Sequence, residues 1–264
     1  MITSGQQLFI NSTIPVLRRD ERIIGVALGG SYITRDKMDE YSGLDFTIVV
    51  EDDKYEEVLR ERVEIAEKFG TLLASFTGEH IHQPELLICM YDEPLLHVDL
   101  NFVRTDMLTY RFDNPIVMHQ RGTVLSDAIA RYPYQKSATD MQWYEDRFWI
   151  WVHFIATRIA RGELFDSIES LSFLRLNVLG PLILIKNGFP PRGVRHIEDC
   201  PTDAKSLTET IAEYDRASCL RALKAAANLY ISLRGVNKAG LFTRDLAESR
   251  ALRYLNSLEA KLKL

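Results

Sequence analysis

Two short apolar segments near the N-terminus flank a polar loop. Ile23–Leu28 ends in the small residues Gly29, Gly30 and Ser31, and a second apolar segment, Leu44–Val50, follows a loop rich in charge. Apolar runs of this length between turn residues are typical of buried strands. The sequence therefore predicts two strands, with a glycine-rich turn at the end of the first.

The second predicted strand has one apolar face and one face that carries a carboxylate. Because side chains alternate along a strand, Asp45 and Thr47 lie on the face opposite to Leu44 and Phe46. Aspartate is disfavoured inside strands, and a bound metal ion is a natural compensation. The alternative is that Asp45 is a structural carboxylate at a strand edge or cap.

The surrounding sequence predicts a helix on each side of these strands and three further strands. In the helix predicted over residues 4–19, Pro15 indicates a break or a first-turn position. The helix over Tyr55–Phe69 ends at Gly70. The additional strands are Leu72–Phe76, Glu85–Tyr91 and Leu95–Val103. We expect the last two to pair as a hairpin.

The last of these strands contains Asp99, which shares a face with His97 and Asn101. If this strand lies beside Leu44–Val50, Asp99 meets Asp45 over one ion. Glycine N–H groups approach phosphate oxygens closely, and carboxylates are hard ligands for Mg²⁺. The combination suits a nucleoside triphosphate with its metal. His97 is expected to be a satisfied, partly buried histidine, with support of a metal ligand as the alternative.

The C-terminal part predicts helices separated by short breaks. Interruptions at Asn114-Pro115 and Gly122 favour a domain boundary that gives residues 1–110 and 111–264. The predicted helices are Ala138–Arg161, Leu164–Lys186, one or two over Pro201–Gly235, and Asp245–Leu262. The first is rich in aromatic residues, which we interpret as a bundle core, although some rings are candidates to line an acceptor pocket. The fold class is α+β, with an all-helical C-terminal domain.

Composition and charge narrow the class of protein. The chain of 264 residues is 46% hydrophobic and 26% charged, as is ordinary for a soluble globular protein. Neither a secretory signal nor an apolar run of membrane-spanning length is evident, and three scattered cysteines favour buried thiols in a reducing cytoplasm. Residues 1–105 carry 10 basic and 19 acidic side chains, a net charge of −9. That charge disfavours nucleic acid as a partner and suits metal ions or a cationic acceptor; an acidic surface that only confers solubility is the alternative.

The order of these features resembles the nucleotidyltransferase superfamily that includes the DNA polymerase β palm and the antibiotic nucleotidyltransferases. Its motif is a glycine-glycine-serine turn, an acidic–x–acidic pair on the next strand, and a third acid on a later strand. Gly29, Gly30 and Ser31 match the turn, Asp45 matches the first acid of the pair, and Asp99 matches the third acid.

This resemblance, which covers about residues 20–105, implies a mixed sheet of the nucleotidyltransferase type. It also implies that the glycine turn and Thr47 lie at the nucleotide and that Asp45 and Asp99 hold Mg²⁺. A nucleoside monophosphate then passes from a nucleoside triphosphate, with ATP expected, to a hydroxyl of a small, aminoglycoside-like acceptor. The helical part resembles the C-terminal domain of aminoglycoside and lincosamide nucleotidyltransferases, which makes Glu163 a candidate to contact the acceptor or take its proton. A charge near a helix N-terminus is the alternative for Glu163.

One position departs from the motif. Thr47 stands where the second acid of the pair is expected, and a neutral hydroxyl is a weaker Mg²⁺ ligand than a carboxylate. Three outcomes stay open. An acid of the loop, Asp36, Asp39 or Glu40, substitutes for it; one metal suffices; or the protein binds nucleotide without transferring it, as a sensor or partner module. A purely structural role for the glycine turn and Asp45 is the remaining alternative.

Overall fold

The computed structural model describes residues 1–33, 38–109, 114–131, 140–236 and 240–262. The chain forms two compact units, Met1–Gln135 and Lys136–Leu264. The first is built on a mixed sheet and the second is helical, so the α+β class is confirmed. The division falls after residue 135, whereas the sequence placed it after 110, because a further strand and helix belong to the first unit.

The sheet unit is built around one six-stranded sheet. In chain order its elements are α1 (Ser4–Arg19), β1 (Ile23–Leu28), β2 (Leu44–Val50), α2 (Tyr55–Ala66), β3 (Thr71–Gly78), β4 (Gln83–Asp92), β5 (Leu96–Val103), β6 (Ile116–Gln120) and α3 (Val124–Arg131). The strand order is β3-β4-β5-β2-β1-β6. β2 and β5 pair in parallel, and the other neighbouring strands pair antiparallel.

The strands that carry the candidate acids are placed as the sequence predicts. β1 and β2 have the bounds of the two apolar runs, and β4 and β5 form the expected hairpin. β5 lies beside β2 in the middle of the sheet. Central strands are covered on both faces, which explains why their apolar runs were readable.

Two apolar clusters cover opposite faces of the sheet. The larger one, with residues of α1 and α2, includes Phe46 of β2 and Leu100 of β5. The smaller one includes Val49 of β2, Val103 of β5 and Leu125 of α3. Since side chains alternate along a strand, the polar residues of β2 and β5 lie on the same face as the smaller cluster.

Two sequence predictions for this unit are wrong. Pro15 does not break α1, which continues through it because Ile10, Thr13 and Leu17 are buried along one side of the helix. The sequence predicts only helices in residues 111–264, but Ile116–Gln120 pairs with β1 as a strand. Every residue of that strand is half-buried, so it lacks the apolar alternation that marks strands in a sequence.

The helical unit packs its elements around one large apolar cluster. They are α4 (Met141–Arg161), α5 (Leu164–Leu174), α6 (Gly180–Lys186), α7 (Pro201–Thr208), α8 (Arg216–Val236) and α9 (Asp245–Leu262). A π-helical segment, Arg175–Leu179, joins α5 to α6, so the helix predicted over Leu164–Lys186 is continuous.

The helix Leu164–Lys186 corrects one sequence expectation. By length and composition it is apolar enough to cross a membrane, although the sequence reading found no such run. Half of its most apolar window is buried inside the structure, where Leu171, Val178 and Ile183 belong to the large cluster of the helical unit. The helix Leu164–Lys186 is therefore buried in the way that is typical of a core helix.

Candidate active site

Two aspartates lie side by side on the central parallel strands. Asp45 of β2 and Asp99 of β5 are direct Cα partners in the ladder. Neighbouring strands are about 4.8 Å apart, and paired residues in a parallel ladder point to the same face. Both residues are partly exposed, with 29% of the Asp99 side chain accessible. The two carboxylates therefore leave the sheet from adjacent positions.

The glycine turn lies directly against Asp45. The N–H of Gly29 donates to the Asp45 carbonyl oxygen at 2.9 Å, one step beyond the end of β1. Gly30 has a φ of +57°, and a Cβ built on it would overlap Oδ2 of Asp45 and lie 2.8 Å from its Cγ. Ser31 follows within a single 3₁₀ turn, Gly30–Tyr32. Glycine is the residue that meets both the backbone and the space requirement at position 30.

Thr47 occupies the next position on the face of Asp45. Its partners in the sheet are Ala27 of β1 and Asn101 of β5. Ala27 is fully buried, and the Asn101 Oδ1 atom is buried without a hydrogen-bond partner in the described part of the chain. Position 47 thus shares the face of the aspartates, but its neighbours across the sheet are uncharged.

His97 contacts Asp99 directly. Its Nε2 atom lies 2.8 Å from Oδ1 of Asp99, and 62% of its side chain is exposed, so the partly buried histidine expected from the sequence is wrong. Gly43, two residues before Asp45, lies beside His97. A Cβ on Gly43 would be 3.0 Å from the His97 carbonyl oxygen. The spacing of two residues from Asp45 could have drawn attention to position 43 in the sequence, but a glycine has no side chain that suggests a functional role.

The loop acids do not join the two aspartates among the residues that the structure describes. The Asp39 carboxylate accepts hydrogen bonds from the Tyr41 N–H at 3.0 Å and the Ser42 hydroxyl at 2.9 Å, so it stabilises its own turn. Glu40 is exposed, and Asp36 lies outside the described residues. Within the described ranges, no group of three or more His, Cys, Asp or Glu side chains is placed to hold a metal ion.

The pair of aspartates nevertheless fits one Mg²⁺ ion. Mg²⁺ is commonly held in proteins by one or two carboxylates, with substrate phosphates and water as the remaining ligands. Asp45 and Asp99 supply two such carboxylates from adjacent strands. A two-metal site needs further carboxylates to bridge its ions, and Thr47 offers only a hydroxyl. The two carboxylates therefore suit one Mg²⁺ ion rather than two.

In the helical unit, Glu163 lies at the junction between α4 and α5. It follows Gly162, whose φ of +77° ends α4, and it occupies the N-cap position of α5. Its Oε2 atom lies 2.6 Å from Nη1 of Arg158, which also pairs with Asp166 at 3.1 Å. This ion pair favours the interpretation of Glu163 as a structural charge near a helix N-terminus. A role toward an acceptor stays a prediction.

Two of the solved structures that are similar to the chain are nucleotidyltransferases or resemble them by name. No family model matches the chain, and no curated protein matches it. The chain is similar to an aminoglycoside 6-adenyltransferase from Bacillus subtilis, with 14% identity and a TM-score of 0.43 over 98% of this chain and 99% of that chain. It is also similar to a nucleotidyltransferase-like protein from Exiguobacterium sibiricum 255-15, with 12% identity and a TM-score of 0.36 over 93% of this chain and 77% of that chain. At these values the function has to be argued from the residues of the chain itself.

Proposed function

We propose that the protein is a metal-dependent nucleotidyltransferase. It would transfer a nucleoside monophosphate from a nucleoside triphosphate, with ATP expected, to a hydroxyl group of a small molecule, with an aminoglycoside-like compound as the expected acceptor. The observation that carries this proposal is the pairing of Asp45 with Asp99 beside the turn at Gly29 and Gly30. Three segments that are distant in sequence bring these residues to one end of the sheet.

The proposed mechanism assigns a role to each residue of the motif. Backbone N–H groups of Gly30 and Ser31, with the Ser31 hydroxyl, bind the β- and γ-phosphates. Asp45 and Asp99 would hold the Mg²⁺ ion, which when bound would neutralise charge at the α-phosphate and lower the pKa of the attacking hydroxyl. The Asp99 carboxylate is oriented for this by its contact with His97.

The transfer step balances without any further reactant. The acceptor oxygen forms a bond to the α-phosphorus, and the bond from that phosphorus to the pyrophosphate oxygen breaks. The hydroxyl proton passes to a general base, for which Glu163 stays the candidate. The products are a nucleotidylated acceptor and pyrophosphate. The buried free thiols of Cys89, Cys200 and Cys219 agree with the cytoplasmic location that we expect for such an enzyme.

A second candidate function is nucleotide binding without transfer. It is favoured by Thr47, which lacks the carboxylate that the motif has there, and by its uncharged neighbours Ala27 and Asn101. A site with one ion would lack the second ion that helps to stabilise the attacking and leaving oxygens in two-metal sites, so a triphosphate could be bound and transferred only slowly or not at all. The protein would then act as a nucleotide sensor or as a partner module.

Pyrophosphate release tests the proposal. Wild-type protein is supplied with each of the four nucleoside triphosphates, Mg²⁺ and a panel of hydroxylated acceptors that includes aminoglycosides. We expect release that requires metal and acceptor, and a loss of about 100-fold in Asp45→Asn and Asp99→Asn. Asp53→Asn, which changes an exposed acid of the same unit, is the matched control and should keep the wild-type rate.

Calorimetry with a non-hydrolysable ATP analogue separates the two candidates. Metal-dependent binding that needs Asp45 and Asp99, without pyrophosphate release for any acceptor, would favour the binding module. Absence of both binding and release would contradict both candidates. In that case the glycine turn and Asp45 would be structural.

A further inference from the structure

A cavity lies in the helical unit, between α4 and α5. It has a volume of about 360 Å³, within the range of roughly 300–1,000 Å³ that is typical of small-molecule sites. Four of its lining residues are apolar, one is a carboxylate and one is a hydroxyl: Trp151, Phe154, Ile155, Phe173, Glu169 and Ser170. An apolar wall with few polar groups is the usual make-up of a ligand pocket.

The aromatic wall of this cavity is fixed by ring contacts. Trp151 and Phe173 pack edge to face, with ring centroids 5.2 Å apart and an interplanar angle of 74°. Trp143 supports Trp151 from the same helix at 5.7 Å. Phe154 and Phe173 nevertheless remain 41% and 42% exposed. The sequence had predicted that this aromatic helix is a core helix, but one side of it keeps large apolar surfaces accessible.

Rings of α4 next to Trp151 already bind cations. The guanidinium carbon of Arg147 lies 4.4 Å from the Trp143 ring centroid, and that of Arg158 lies 4.6 Å from the Phe154 centroid. Aromatic faces attract cations through their quadrupole, and tryptophan does so most strongly. In the described part of the chain, no cation of the protein lies over Trp151. Among the described residues the Trp151 ring is therefore contacted by the aromatic rings of Trp143 and Phe173 and not by a cation.

The carboxylate of the cavity, Glu169, belongs to no ion pair among the described residues. Within the described residues, Glu169 forms no ion pair or hydrogen bond, whereas its neighbours Glu163 and Asp166 both pair with Arg158. Burial lowers the pKa of the Arg175 guanidinium, and the charge of Glu169 acts in the opposite direction. Arg175 donates its hydrogen bond to a backbone carbonyl oxygen rather than to Glu169. An unpaired carboxylate beside aromatic rings complements a ligand that carries a positive charge on an apolar body.

We propose that this cavity binds a small organic cation, namely a primary ammonium group attached to an aromatic or aliphatic body. The ammonium group pairs with Glu169 and donates to the Ser170 hydroxyl, while the body packs against Trp151 and Phe173. The site is built from the helical unit alone. The proposal therefore stands whether or not the chain transfers nucleotides.

Calorimetry on the full chain with two matched probes tests the site. The probes are 2-phenylethylammonium and 2-phenylethanol, which share a shape and differ in charge. We expect saturable binding of the cation, about fivefold weaker binding of the alcohol, and a loss of about fivefold in cation affinity in Glu169→Gln. Phe173→Leu should weaken both probes, because it removes packing surface rather than charge. Glu209→Gln, at an exposed glutamate of the same unit, should change neither affinity.

Three results would overturn the proposal. They are equal wild-type affinity for the cation and the alcohol, unchanged cation affinity in Glu169→Gln, and no saturable binding of either probe up to its solubility limit. Circular dichroism of each variant confirms that it is folded. Because Glu169 is exposed, its substitution is not expected to disturb the fold.

Discussion

A side chain on Gly30 and the carboxylate of Asp45 would need the same space. A Cβ on Gly30 would overlap Oδ2 of Asp45 and lie 2.8 Å from its Cγ, and the φ of Gly30 is +57°. The turn after β1 and the acid on β2 thus form one constrained arrangement. Any side chain at position 30 moves the candidate metal ligand.

Gly30→Ala should separate backbone strain from displacement of Asp45. Its matched control is Gly122→Ala in the same unit, because Gly122 has a φ of +55° and open space around its Cβ position. Both variants should lose about 1 kcal/mol of stability from the left-handed backbone. Gly30→Ala should in addition lower metal-dependent ATP affinity by at least about tenfold, because Asp45 is displaced. Urea denaturation and calorimetry measure the two effects, and equal behaviour of the variants would contradict the argument.

The central sheet was readable from the sequence because burial on both faces leaves a strong pattern. β1 appears as an uninterrupted apolar run, and the alternation along β2 and β5 put Asp45 and Asp99 on the polar face. The glycine turn was recognised because glycines stand next to a strand end. These signals are local, and each depends on only a few neighbouring residues.

The environments of His97 and Glu163 and the existence of β6 depend on tertiary contacts that neighbouring residues in the sequence do not reveal. His97 was assigned to a partly buried environment, although it reaches out of the sheet to Asp99. The half-buried strand β6 has no clear periodicity and is defined by its pairing with β1. Glu163 has an arginine five residues before it, but the ion pair depends on the turn at Gly162. The outcome in each case is set by tertiary packing.

The missing second acid can be tested at two positions. Gly43, which directly precedes β2, and Thr47 are both two residues from Asp45, so an aspartate at either position would complete an acidic–x–acidic pair. Position 43 lies beside the exposed His97, whereas position 47 lies beside Ala27 and the buried oxygen of Asn101. We expect Gly43→Asp to raise Mn²⁺ affinity more than Thr47→Asp does. A carboxylate at position 47 is less solvated and should destabilise the apo protein by about 1–3 kcal/mol.

Calorimetry with Mn²⁺ and thermal denaturation with and without Mn²⁺ measure this difference. Gly43→Asn and Thr47→Asn are the controls, because they add a similar volume without charge. A larger gain in metal affinity from Thr47→Asp would reverse the assignment. It would place the lost acid at position 47, as the sequence resemblance implies.

Asp20 should contribute a pH-dependent part of the stability of the sheet unit. Its carboxylate accepts from Arg22 at 2.7 Å, and this hydrogen bond holds the pKa of Asp20 below its usual value of 3.8. Because the folded pKa is lowered, the stabilisation is fully present above pH of about 4 and is lost as the pH falls through the folded pKa. Asp20→Asn should lose about 1 kcal/mol at pH 7 and progressively less as the pH falls toward 2.

Urea denaturation followed by circular dichroism between pH 2 and pH 7 tests this prediction. Asp53→Asn is the control, since Asp53 is exposed and its substitution should leave the pH profile unchanged. A constant difference between Asp20→Asn and wild type over the whole pH range would show that the loss does not come from ionisation.

The largest expected stability effect lies in the helical unit, at Glu145. This carboxylate is fully buried and accepts hydrogen bonds from the Tyr230 hydroxyl at 2.8 Å, from Arg234 at 3.0 Å and from the Arg244 N–H at 2.8 Å. Arg234 keeps Glu248, at 2.8 Å, as a second ion-pair partner. Removal of the charge of Glu145 leaves a buried guanidinium with less compensation. Glu145→Gln should therefore destabilise the helical unit by about 3 kcal/mol, and Tyr230→Phe by about 1 kcal/mol.

Tryptophan fluorescence in a urea titration measures this effect selectively, because Trp143, Trp149 and Trp151 all lie on α4. The double variant with Glu145→Gln and Arg234→Met should be more stable than the sum of the two single losses implies, because it removes both partners of the buried pair. Additive losses would show that the two side chains act independently. A loss below about 1 kcal/mol in Glu145→Gln would mean that the buried charge of Arg234 is already satisfied by Glu248.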